Sequence, residues 1–174
     1  MCVQHKNVKN AGDLLRQLKI TKIPIDVEKI CAELDISITI TDLSQVEKAH
    51  GGRPISGALI LKNGEKDIIV NQDDIRERQR FTIAHELAHY FLHHCEETVS
   101  STERAIISFR GAKNKVEYEA DQFAAELLMP LEHIIRLYEE LPLPYITALA
   151  LKFDVSKAAM RYRLDSLNKN YIDL

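Results

Sequence analysis

Apolar and polar positions change their period several times along this chain, and each change marks an element. From Asn10 to Lys19, Leu14, Leu15 and Leu18 share one side, which predicts a short amphipathic helix. Pro24 opens a second predicted helix, in which Val27, Ile30, Cys31 and Leu34 recur at helical spacing. Ile36 to Thr41 alternates apolar and polar without error, the pattern of a half-buried strand. Asp42 to Pro54 reads as a charged, mobile loop containing Gly51-Gly52. Two apolar runs, Ala58 to Leu61 and Asp67 to Asn71, then flank Lys62-Asn63-Gly64-Glu65. Asn-Gly between such runs predicts a hairpin, because both residues tolerate the positive φ that a tight turn demands. Asp74, with Glu77 three residues later, has the form of a capping box for the helix that follows.

Beyond that helix, Cys95 to Lys115 is a long polar connector in which Ile106 to Phe109 fits a short strand or a turn. Glu117 to Met129 is rich in Ala, Glu, Leu and Met and is ended by Pro130, so it reads as a helix. Leu131 to Leu141 reads as another, broken by Pro142-Leu143-Pro144. Ile146 to Leu164 then resembles the heart of a helix-turn-helix, with a turn at Asp154-Val155 and Ser156 as N-cap of a basic second helix. The class is therefore α+β, with a small, partly antiparallel sheet. The division expected is a first unit over 1–141 and a helical segment over 142–174 that packs on the core.

The chemistry is concentrated in His85-Glu86-Leu87-Ala88-His89, which has the form H-E-x-x-H. On a helix, residues four apart stand about 6 Å apart along the axis and about 40° apart around it. Two imidazoles so placed can reach one metal ion, with Glu86 beside them to take a proton from water. A catalytic zinc ion wants three protein ligands and one open position. Glu117 is the candidate third ligand, since it shares a helix face with Ala120, Asp121, Ala124 and Leu128, whose mostly small side chains permit close approach. Glu119, on a different face, is the alternative ligand. Asp121 fits a supporting role, accepting the remaining N–H of a ligating histidine. His93 lies a further helical step on, about 12 Å along the axis from His85, too far for the same ion. It is expected to hydrogen-bond near the site or to cap the helix.

Arg80 to His93 together with Glu117 to Pro130, ending Phe-Ala-Ala-Glu-Leu-Leu-Met-Pro, resembles the ImmA/IrrE family of bacterial and phage metallopeptidases. The resemblance covers roughly residues 20–135. It implies a gluzincin-type zinc site, with His85, His89 and Glu117 as ligands and Glu86 as the catalytic carboxylate, in a thermolysin-like zincin core. It also implies that a sheet edge above the metal binds substrate as an added strand, and that the substrate is a helix-turn-helix repressor in a mobile element, prophage or stress circuit. Asp121 departs from the family pattern, in which many relatives carry Asn.

Composition narrows the alternatives. The chain has 174 residues, 45% hydrophobic and 28% charged, enough for a real core in one domain or one plus a small appendage. Met1 to Asn10 is polar and no apolar run approaches the length of a bilayer span, so a cytoplasmic protein without membrane contact is expected. Cys2, Cys31 and Cys95 are odd in number and widely spaced, which argues against a disulfide framework or a separate zinc site. The net charge of −3 supplies no basic field for nucleic acid. From Pro142 onward, Lys152, Lys157, Arg161, Arg163 and Lys169 stand against Asp154, Asp165 and Asp173, a small excess that makes DNA a minor expectation. The reading is a zinc endopeptidase. Its rival is a regulatory module with a structural zinc ion, acting on DNA or a partner protein; such a module would have no need of Glu86.

Overall fold

The computed structural model describes residues 8–92, 103–111, 114–140 and 146–170. The Asn-Gly hairpin forms as expected, joining strands Ile55–Lys62 and Glu65–Asn71 in antiparallel register, with Asn63 and Gly64 at φ of 51° and 84°. Before it come helices α1 (Ala11–Gln17) and α2 (Val27–Glu33), strand β1 (Ser37–Thr41) and helix α3 (Ser44–Ala49). The hairpin strands are β2 and β3. After them follow α4 (Arg76–Phe91), β4 (Glu103–Phe109), α5 (Lys115–Leu128), α6 (Leu131–Glu140), α7 (Ile146–Phe153) and α8 (Lys157–Asn170). The fold is α+β. Its four-stranded sheet runs β1-β3-β2-β4, with β1 parallel to β3 and the other pairs antiparallel.

Several local expectations are revised. Helix α2 starts at Val27, because the Asp26 side chain accepts the Lys29 N–H and makes the cap; Pro24 lies outside the helix. The segment 42–54 is not simply a loop, since α3 forms inside it and Glu47 Oε1 accepts the Ile55 N–H, fastening it to β2. Asp74 makes no capping box. Its carboxylate is drawn instead to Arg110 just beyond β4, where a full positive charge replaces the partial charge of a helix N–H. Strand β1 is an edge, so its alternation buries less than expected: Ile38 is half-buried and Ile40 exposed. The ambiguous stretch 106–109 is strand, the end of β4. His93, Cys95 and Pro142 to Pro144 lie outside the described residues.

One hydrophobic core runs from α1 and α2 through the sheet and α4 to α5, and onward to Leu149, Phe153, Met160, Leu164 and Leu167 of the last two helices. Ser156 Oγ accepts the Ala159 N–H and starts α8, as the sequence indicates. Two buried guanidinium groups fasten this helix pair. Arg80 of α4 donates to the Asp154 carbonyl at 3.2 Å and to the Ile25 carbonyl at 2.9 Å. Arg163 of α8 donates to the Met129 carbonyl at 3.3 Å. A guanidinium so buried is unavailable to a phosphate, which removes one of the two arginines that a DNA-reading helix would use.

Candidate active site

Helix α4 is covered nearly all round: Thr82 to His89 are buried without interruption, between the sheet and α5. Its close seat on β2 depends on Gly57. A Cβ at that position would stand 2.5 Å from Thr82 Cγ2 and 2.6 Å from the Ile69 carbonyl, well inside contact distance. Sequence reasoning passed over this residue, although a glycine inside an apolar strand is itself a signal of close backbone approach.

The Nε2 atoms of His85 and His89 face each other at 3.0 Å. Helix α5 begins at the Asn114 cap, which accepts the Glu117 N–H and fixes the turn that presents Glu117. One oxygen of Glu117 lies 3.2 Å from His85 Nε2 and the other 3.6 Å from His89 Nε2. Four ligands at about 2.0–2.1 Å from a tetrahedral zinc ion stand about 3.3 Å from one another. The observed separations match that spacing, and two nitrogens with one carboxylate are a donor set that suits such an ion. These three residues could hold a metal. Glu119 is turned away, beside Lys115 at 3.7 Å.

On the far side of its ring, His85 meets Asp121 Oδ1 through Nδ1 at 2.9 Å. Burial disfavours charge on His85, but the Asp121 and Glu117 carboxylates outweigh it and lift the ring to about 9. Burial also opposes charge on Glu117, yet the contact with His85 holds it below its ordinary value. Glu86 is fully buried, and burial pushes it up to about 7 against the lowering pull of His85 and a weaker one from the Ser108 hydroxyl. That hydroxyl is near but not bonded: among the described residues, both Glu86 oxygens, Ser108 Oγ and Thr82 Oγ1 are buried without a hydrogen-bond partner. Neither Ser108 nor Thr82 was legible as a site residue from sequence.

A cleft of about 480 Å³ opens over His85, Glu117 and Asp121. Ser108 and Phe109 of β4 form one wall, and the start of α8 contributes to its lining. Tyr90 is half-buried, with the Lys66 ammonium 5.4 Å from its ring centre, and takes no part in the lining.

Among the described residues, no helix is long and apolar enough to cross a membrane. The chain is 28% identical over 147 residues to Metallopeptidase ImmA of Bacillus subtilis (strain 168), a match that covers 82% of this chain and 76% of that protein. Over residues 31–165 it matches the peptidase family described as the IrrE N-terminal-like domain. That span takes in both site helices, α7 and the first part of α8, and the chain belongs to this metallopeptidase family.

Proposed function

We propose that this metallopeptidase is a zinc-dependent endopeptidase, with His85, His89 and Glu117 holding the ion and Glu86 as the catalytic base. The carrying observation is the convergence of two histidine Nε2 atoms and the Glu117 carboxylate on one point. A zinc ion held there would polarise a scissile carbonyl and bring the pKa of a water toward about 7. Glu86 takes the proton of the attacking water and passes it to the leaving amine, a task suited to a carboxylate with a pKa near 7 and no donor on either oxygen among the described residues. Asp121 keeps the proton of His85 on Nδ1, so that Nε2 offers its lone pair to the ion. His93, outside the described residues, retains its proposed place beside the site.

The substrate proposed is a helix-turn-helix repressor in the cytoplasm, as the family resemblance implies. An extended segment of it would add to the outer edge of β4, whose other edge pairs with β2 and whose Ser108 and Phe109 line the cleft. On the same reading, 1–141 is the peptidase unit and 142–174 a helical segment packed upon it. A purely regulatory zinc module fits less well, since it would close its ion with four protein ligands and leave Glu86 without a purpose. The test is to incubate the zinc-loaded protein with the repressor-like protein encoded nearest to it and to look for fragments by mass spectrometry. Cleavage by wild type but not by Glu86→Gln supports the assignment. An intact repressor in the presence of fully zinc-loaded wild type would remove it as the substrate.

A further inference from the structure

Two strand residues converge on Glu86 from the sheet. The β2–β4 register slips between Ile55 and Gly57: Ile55 is paired with Phe109 and Gly57 with Ser108, which leaves Ser56 as an extra residue in β2. Such a bulge re-aims the side chains beside it. Residues directly opposite in an antiparallel pair share a face of the sheet, so Ser108 lies on the same face as Gly57. That face is turned to α4, because a Cβ on Gly57 would stand 3.6 Å from Glu86 Oε1. Thr82, one helical turn before Glu86, meets the glycine with its methyl group. Gly57 brings no side chain to this place; Ser108 brings a hydroxyl.

The backbone that carries this hydroxyl is held firmly. Phe109, next in the strand, lies under the Arg53 guanidinium at 3.8 Å and beside the His50 ring at 5.7 Å. Arg110 donates its N–H to the Pro54 carbonyl at 2.9 Å, and its guanidinium meets Asp74. Ser108 is 4% exposed and Glu86 is fully buried. A buried hydroxyl and a buried carboxylate, each without a partner among the described residues, are costly apart and favourable together. The hydroxyl is already close enough to pull the carboxyl pKa down, and a rotation aims its O–H at the carboxylate.

We propose that Ser108 is a positioning residue for the catalytic base: its hydroxyl donates a hydrogen bond to one oxygen of Glu86 and holds the other toward the attacking water. The proposal deepens, and rests on, the reading of Glu86 as the general base. A glutamate side chain has several rotatable torsions, and a reacting group misplaced by about 1 Å loses about 10²-fold in rate. The bond leaves one carboxylate oxygen free to take the proton. Because Ser108 donates to the oxygen that stays unprotonated, the same contact serves when Glu86 hands the proton to the leaving amine.

Ser108→Ala removes one oxygen atom and adds no bulk, so a mere packing role would leave the rate untouched. The substrate is a quenched fluorescent peptide selected from a random library by the zinc-loaded wild type. Ser108→Ala is expected to lower kcat about 10–100-fold, with KM and zinc content unchanged. Ser108→Thr, which keeps the hydroxyl, should recover most of that loss. In the Glu86→Gln background no base is left to position, so Ser108→Ala should cost less than about twofold there. Unchanged kcat in Ser108→Ala, an equal fractional loss in both backgrounds, or a zinc-holding Ser108→Thr protein no faster than Ser108→Ala would overturn the proposal. A crystal structure of the zinc-loaded wild type reads the contact without turnover. Ser108 Oγ is expected within about 3 Å of one Glu86 oxygen, and its donation to any other acceptor would equally overturn the role. Together the two readouts separate this inference from the peptidase reading. Hydrolysis undiminished in Ser108→Ala removes Ser108 and leaves the peptidase standing. A formed bond in a protein that hydrolyses no peptide removes the peptidase, and the positioning role with it.

Discussion

Asp121 Oδ1 lies 2.9 Å from His85 Nδ1, and this contact determines which nitrogen of His85 is turned toward Glu117 and His89. A carboxylate in that position holds the proton on Nδ1 and strengthens Nε2 as a donor. Asp121→Ala should therefore weaken zinc binding about 10–100-fold, measured by competition with a chromophoric chelator. Asp121→Asn can be bonded by Nδ1–H through its carbonyl oxygen and should lose less. Unchanged affinity in Asp121→Ala would show the contact to be incidental.

Ligand identity is separable by the same assay. His85→Ala, His89→Ala and Glu117→Ala should each lose most of the bound zinc, whereas Glu119→Ala should keep it, since Glu119 is turned toward Lys115. Zinc loss in Glu119→Ala alone would reassign the third ligand.

Chemistry separates from binding at Glu86. Glu86→Gln should retain zinc and fall by on the order of 10²–10⁴-fold in kcat. Full turnover in that variant would dispose of the general-base role, whatever its metal content.

Protons compete with the ion. In the metal-free protein His85 titrates near 9, above the 6.5 of an ordinary histidine, so its proton adds stability that is complete below about 6.5 and lost as pH rises through 9. Glu86 has the same sign, with a folded value near 7 against 4.5, its contribution fading as pH rises through 7. The metal-free form should therefore melt at progressively lower temperature from about pH 5 to 9. Zinc binding requires a neutral His85, so at pH 7 it should release about one proton or more. Calorimetric titrations with zinc in buffers of differing ionisation enthalpy measure that release; a value of zero would contradict the assignment.

Two packing predictions concern stability. Gly57→Ala places a methyl 2.5 Å from Thr82 Cγ2 and 2.6 Å from a backbone oxygen, and should cost about 1–3 kcal/mol in chemical denaturation. Because the displaced helix is α4, zinc affinity should fall with it. Truncation after residue 141 removes Leu149, Phe153, Met160 and Leu164, exposes the core side chains that they cover and strands Arg80 without its Asp154 partner. The shortened protein should aggregate or unfold rather than lose a separable activity, as light scattering and circular dichroism would show.

What the sequence determined by itself was local. The i, i+4 spacing of His85 and His89 puts both rings on one side of any helix, and Asn63-Gly64 turns a hairpin wherever it lies. Ser156 caps α8 for a similarly short-range reason. These features need only dihedral preferences and contacts within a few residues, so the order of neighbours suffices to read them. Tertiary structure decided what meets what across long separations. Whether Glu117 or Glu119 reaches the histidines depends on which face of α5 the core turns toward α4. That Asp74 leaves its expected cap for Arg110 depends on where β4 ends. That 154–162 walls the cleft depends on Arg80 and Arg163 reaching carbonyls many residues away. A one-dimensional pattern states which side of a helix is apolar; only the packing of distant segments selects the surface against which that side is buried.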